Sequence, residues 1–123
     1  MKLHSETRSG LNFITACDIT HVQVNENRHA APLIVLAQQL ITTWTPRSFD
    51  ELGVEHFAAL VELGVEIILL GTGAKQRFPH PRLTQALMQK RIGLEVMDTG
   101  AACRTYNILV GEGRSVAAAL LPA

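Results

Sequence analysis

Two apolar runs in the second half of this chain each end in a small polar turn and pass into helical periodicity. Few folds accept that pattern twice. Residues 65–70 (VEIILL) run into Gly71, Thr72 and Gly73, and residues 94–97 (LEVM) run into Asp98, Thr99 and Gly100. The first run is apolar on both faces apart from Glu66, as in a strand covered on two sides. Ahead of it, Val54, Phe57, Ala58 and Val61 recur at i, i+3, i+4 and i+7, the stripe of an amphipathic helix that Gly64 closes. Between the runs, residues 83–91 read as a helix with Leu83, Ala86, Leu87 and the stem of Lys90 on one stripe. Lys90 and Arg91 suit its negative end, and Gly93 stops it. Asp98 or Thr99 caps a third helix whose buried face is Ala102, Thr105, Tyr106 and Leu109, with Gly111 and Gly113 at its end. Residues 115–121 supply a last apolar strand. The order α-β-α-β-α-β predicts a sheet with parallel neighbours.

The first half has a β texture. Strands are expected at residues 13–15, 20–25, 31–36 and 40–44, joined as an antiparallel meander, with Asn25 and Asn27 in a turn. Pro32 cannot donate to a ladder, so it belongs at a strand's beginning or on an edge. Ser48 and Glu51 have the spacing of a capping box, but Gly53 interrupts soon afterwards and reduces it to a turn. Residues 1–10 are polar and expected to be loosely held. At 123 residues, 47% of them apolar and 18% charged, the chain makes one globular domain with a core of its own.

Charge narrows the function. Eleven basic residues balance eleven acidic ones, which argues against a cationic nucleic-acid surface. The charges are nevertheless segregated. Asp50, Glu51, Glu55, Glu62 and Glu66 fall in a stretch without Lys or Arg, and Lys75, Arg77, Arg82, Lys90 and Arg91 fall in one without acids. Two solvated helix faces of opposite sign explain this, as does an anion-attracting patch beside Gly71, Thr72 and Gly73. No stretch approaches the roughly 18 apolar residues of a membrane span. The N-terminus has no apolar signal region, and Cys17 and Cys103 lack metal-ligand or C-x-x-C spacing, so a reducing cytoplasm is the expected setting.

Ligands of open α/β sheets gather beyond the carboxyl ends of strands. Both polar turns lie there, so Gly71, Thr72, Gly73, Arg77, Phe78, Asp98, Thr99, Arg104, Tyr106 and Asn107 are the candidate crevice. A helix starting at Asp98 or Thr99 offers free N–H groups, and Arg104 one turn in has the planar fork that clamps a carboxylate or phosphate. The competing reading gives Asp98 and Thr99 a capping role alone and pairs Arg104 with Glu66 or Glu95. Gly71 and its neighbours complete neither a G-x-G-x-x-G nor a P-loop, since position 76 is Gln and no Gly-Lys-Ser/Thr follows. Residues 98–101 (DTGA) match the tetrapeptide of aspartic proteases, yet the helical period behind them contradicts an all-β barrel. Cys103 reads as buried on an Ala-rich face rather than as a reactive thiol. The five histidines show no metal spacing. No cofactor or metal is expected, and no catalytic set is complete.

Gly71 to Gly73, residues 77–79 (RFP), residues 92–109 (IGLEVMDTGAACRTYNIL) and residues 112–122 (EGRSVAAALLP) together resemble a small uncharacterised-domain family. Its members include the mitochondrial complex I assembly factor 3 and an adipogenesis-associated cytosolic protein, besides many bacterial and archaeal proteins. The resemblance extends from about Phe13 onward and is specific in the second half. It implies a three-layer α/β fold, with a central mixed sheet flanked by helices and an extra antiparallel β layer from the N-terminal strands. It implies no established enzymatic activity. For this chain it implies a cytoplasmic bacterial member that binds protein partners, with respiratory-complex subunits or assembly factors as the expected kind. The alternative, read from the residues, is a small-anion or nucleotide-binding protein, an enzyme included, that uses the crevice at the Gly71-Thr72-Gly73 and Asp98-Thr99 strand ends.

Overall fold

Alternation of side-chain direction along the strands sorts the apolar residues into two cores on opposite faces of one sheet. The computed structural model describes residues 10–18 and 20–122, so the expectation of a loose start falls almost wholly on residues outside that range. In chain order the elements are β1 (Ile14–Cys17), β2 (His21–Val24), β3 (Asn27–Ala30), β4 (Leu33–Leu36), β5 (Gln39–Ile41), a 3-10 turn (Phe49–Glu51), α1 (Val54–Val61), β6 (Ile67–Gly71), α2 (Pro81–Gln89), β7 (Gly93–Met97), α3 (Thr99–Gly111) and β8 (Val116–Leu120). The main sheet has the order β5-β4-β8-β6-β7, and β1, β2 and β3 form a separate three-stranded sheet. Strands β8, β6 and β7 are parallel neighbours, as the helix–strand alternation predicts, while β4 runs antiparallel to both β5 and β8.

Leu33, Val35, Leu69, Ala118 and Leu120 point to the face covered by α3 and the three-stranded sheet. Ile34, Leu36, Ile68, Leu70, Ala117 and Ala119 point to the other face, under α1 and α2. The result is the layered mixed α/β fold with an added antiparallel β layer. In the middle of the sheet, β8 presents Ala117, Ala118 and Ala119, all fully buried, and such short side chains let the layers on both faces come close.

Several local expectations are corrected. The meander stops at β3. The four residues of β4 are all buried, and only a strand inside a two-sided sheet can bury both faces. Pro32 stands just before β4, where its missing N–H costs nothing. A further strand, β3 (NRHA), lies where a turn is expected at Asn27, and its polar residues carry no strand signal of their own. It is held by pairing with β2 across a turn in which Asn25 takes the left-handed conformation at φ 53°. At the β1–β2 turn, the Thr20 and His21 N–H groups and the Arg28 guanidinium hold the Asp18 carboxyl well below the usual range. On α1 the buried residues are Phe57 and Leu60, while Val54 and Ala58 are exposed, because the two largest side chains decide which face turns inward. Helix α2 starts earlier than expected, with Pro81 at its first position, a place where proline is preorganised. It also ends earlier: Arg91 takes the left-handed position at φ 57°, so Gly93 opens β7 rather than stopping the helix.

Candidate functional site

The two polar turns meet, and Thr99 is where they meet. Its hydroxyl donates to the Leu121 carbonyl at 2.7 Å and accepts the Gly73 N–H at 2.8 Å, both bonds buried. The Thr99 N–H returns a bond to the Gly73 carbonyl at 2.9 Å, and Leu121 N–H donates to the Gly71 carbonyl at 3.0 Å. Thr72 reaches the other strand end, donating its N–H to the Met97 carbonyl at 2.9 Å, while its hydroxyl accepts the Arg77 N–H at 3.1 Å. Gly71 is demanded by this closeness: a Cβ there would stand 2.9 Å from Thr99 Cα. Asp98 caps α3 by accepting the Ala101 N–H at 2.8 Å, the role its sequence position indicates. Two first-turn N–H groups of α3, those of Thr99 and Ala101, therefore already have partners within the chain.

The remaining candidate residues spread in three directions. Arg77 turns away from the strand ends. Its guanidinium pairs with Asp50 at 3.0 Å and lies 4.3 Å from the centre of the Phe49 ring, joining the start of α1 to the start of α2. Phe78 is 72% exposed. Arg104 is exposed beside Gly100, with Nη1 3.5 Å from where a Gly100 Cβ would lie. Among the described residues it forms no ion pair, so neither Glu66 nor Glu95 holds it.

Tyr106 and Asn107 face the three-stranded sheet. Buried Tyr106 donates its hydroxyl to the Asn12 carbonyl at 2.9 Å. Asn107 imitates a strand: its Oδ1 accepts the Ile14 N–H at 2.8 Å and its Nδ2 donates to the Ile14 carbonyl at 2.7 Å. One side chain thus satisfies both edge groups of a residue on β1, where no further strand pairs. Asn107→Leu is expected to cost roughly 1–3 kcal/mol by leaving those groups unpaired. Urea denaturation checks the cost, and hydrogen exchange should show β1 loosening before β6 and β8.

Sequence reading overlooked His56. Its Nδ1 accepts the Gly53 N–H at 2.9 Å ahead of α1, its Nε2 lies 3.1 Å from the Thr45 hydroxyl, and its ring stands edge-on to Trp44. A histidine three residues after a helix-opening glycine was the available signal.

Cys103 is buried and free, with the free thiol of Cys17 beside it. Burial first, and Cys17 second, push the Cys103 thiol above its ordinary 9.0, and burial pushes the Tyr106 phenol above its ordinary 10.0. Both groups hold protons more tightly folded than unfolded. Their contribution is fully present below about pH 9 and is lost as pH rises and the unfolded chain ionises. The denaturation midpoint should therefore fall above about pH 9, with Cys103→Ala removing the earlier part of the fall. Tyr106 is the single tyrosine, so phenolate absorbance should appear together with unfolding and not before it. An ordinary phenol titration in the folded chain would refute this.

Residues 14–121 match the model of a family described as proteins of unknown function, DUF498/DUF598. The chain belongs to this family. A relative from Mus musculus, named NADH dehydrogenase (ubiquinone) 1 alpha subcomplex assembly factor 3, is 39% identical over 98 residues, which cover 78% of this chain and 52% of the relative. The chain thus spans about half the length of that curated relative. A crystal structure of a Bordetella parapertussis protein superposes with a TM-score of 0.86 at 32% identity, covering 95% of this chain and 100% of that one. An NMR structure from Xanthomonas campestris gives a TM-score of 0.81 at 37% identity, covering 99% of this chain and 92% of that one. The layered fold is shared with both of these solved structures. Among the described residues no helix is long and apolar enough to cross a membrane.

Proposed function

We propose that this chain is a non-catalytic, partner-binding assembly factor of the bacterial cytoplasm, acting on subunits of a respiratory NADH:quinone oxidoreductase. The observation that carries the reading is the match to the mouse assembly factor over 78% of the chain. The engagement of Thr72, Gly73, Asp98 and Thr99 in internal hydrogen bonds supports it, since these groups hold strand ends together. The test is deletion in the native host followed by native-gel analysis of the oxidoreductase and by affinity capture with the tagged chain. Loss of assembled complex, with capture of its subunits, is expected. An intact complex and no captured subunit would reject the reading. Cell fractionation checks the compartment.

A second reading, small-anion binding at the start of α3, is favoured by one observation: the exposed Arg104 guanidinium without an ion pair among the described residues. Phosphate and small carboxylates should then raise the melting temperature. At a concentration of 100 times the dissociation constant the gain is about 2.7 kcal/mol, and Arg104→Ala should abolish it. No shift with any such anion would remove this reading.

A further inference from the structure

The segregated charges noted in the sequence become two parallel stripes on one surface. Strands β6 and β7 are parallel, α1 leads into the first and α2 into the second, so the helices run in the same sense on the same face of the sheet. The Asp50–Arg77 pair, with Arg77 over Phe49, sets their starts side by side. The outward stripe of α1 is Glu55, Ala58, Ala59 and Glu62, all exposed. The outward stripe of α2 is Arg82, Gln85, Met88 and Gln89, also exposed, with exposed Lys90 following. Acid and base occupy matching places, since Glu55 and Arg82 are each the second residue of their helix, and Glu62 and Lys90 are each the residue that caps its end.

Such a surface is complementary to itself. We infer that a second copy of this chain covers the α1–α2 face, related by a twofold axis parallel to the two helices, so that α1 of each copy lies on α2 of the other. Charge selects this axis. A twofold axis in the interface but across the helices would put α1 on α1 and α2 on α2, opposing like charges, whereas the parallel axis opposes Glu55 to Arg82 and Glu62 to Lys90. Twofold contacts require this reciprocity of one patch with itself. Exposed charge pairs add little affinity but fix geometry and exclude wrong partners. Affinity comes from apolar area: Met88 on the α2 stripe is 69% exposed, while Ala58 and Ala59 allow close approach of the facing helix.

Sedimentation equilibrium of the intact chain provides the test. A mass twice 13.4 kDa is expected at low salt. Dissociation should strengthen at least about tenfold at 1 M salt, where the Debye length is about 3 Å. Glu55→Lys with Glu62→Lys, and separately Arg82→Glu with Lys90→Glu, should each give monomers with unchanged circular dichroism. An equimolar mixture of the two variants should restore the double mass, because one then carries two basic helices and the other two acidic ones. A wild-type chain that stays at 13.4 kDa under all conditions overturns the inference. So does a dimer indifferent to both variants, or a mixture that stays monomeric. The result is independent of any oxidoreductase partner.

Discussion

Tyr106→Ala is expected to lower the unfolding free energy by about 3–5 kcal/mol, a large part of the stability of a domain this size. The side chain is among the largest that are fully buried, and it packs in the core shared by α3, β1, β2 and the main sheet. Truncation leaves a cavity between the layers and an unpaired carbonyl at Asn12. Tyr106→Phe keeps the packing and loses the hydroxyl bond alone, so it should cost only about 1 kcal/mol. Thermal unfolding of both variants separates the two contributions. Hydrogen exchange should add that β1, β2 and β3 lose protection in Tyr106→Ala well before β6 and β8. If Tyr106→Phe proved as damaging as Tyr106→Ala, the hydroxyl rather than the ring would be what fastens the outer sheet.

Thr99→Val is the second large effect, at roughly 2–4 kcal/mol, although it hardly changes shape. The lost hydroxyl leaves the buried Gly73 N–H and the buried Leu121 carbonyl without these partners, and unsatisfied buried groups carry most of the cost. Thr99→Ser can remake both bonds and should recover most of the stability. Urea titration decides it. A nearly neutral Thr99→Val would mean that the junction is not held by this hydroxyl, and would leave Thr99 free for a ligand.

The second half of the chain was legible because its helices and strands carry their own period. The parallel neighbours, the Asp98 cap and the buried Cys103 follow from spacing alone, and Gly113, in the left-handed conformation at φ 79°, confirms the end of α3. Where sequence reading missed, a distant partner decided the local structure. Strand β3 is polar and exists by pairing, and β4 left the meander because β8, from the far end of the sequence, takes its inner edge. That the Arg77 guanidinium pairs with Asp50 and lies over Phe49 was not legible either, since these residues are 27 and 28 positions away in sequence. Asn107 gave no sign that it would stand in for a strand, since that depends on where β1 lies against α3.

The position of β8 also governs the order in which the chain can be built. It follows β4 and β6 in the chain and is made after both, yet it lies between them and pairs with each. Until it leaves the ribosome, the inner edges of β4 and β6 have no partner in the final sheet. At about 5–20 residues per second that interval lasts on the order of a few seconds after β6 is made. During it, two apolar strand edges remain available to other nascent chains or to chaperones. The middle of the main sheet is thus made after the strands on either side of it that it joins, β4 and β6.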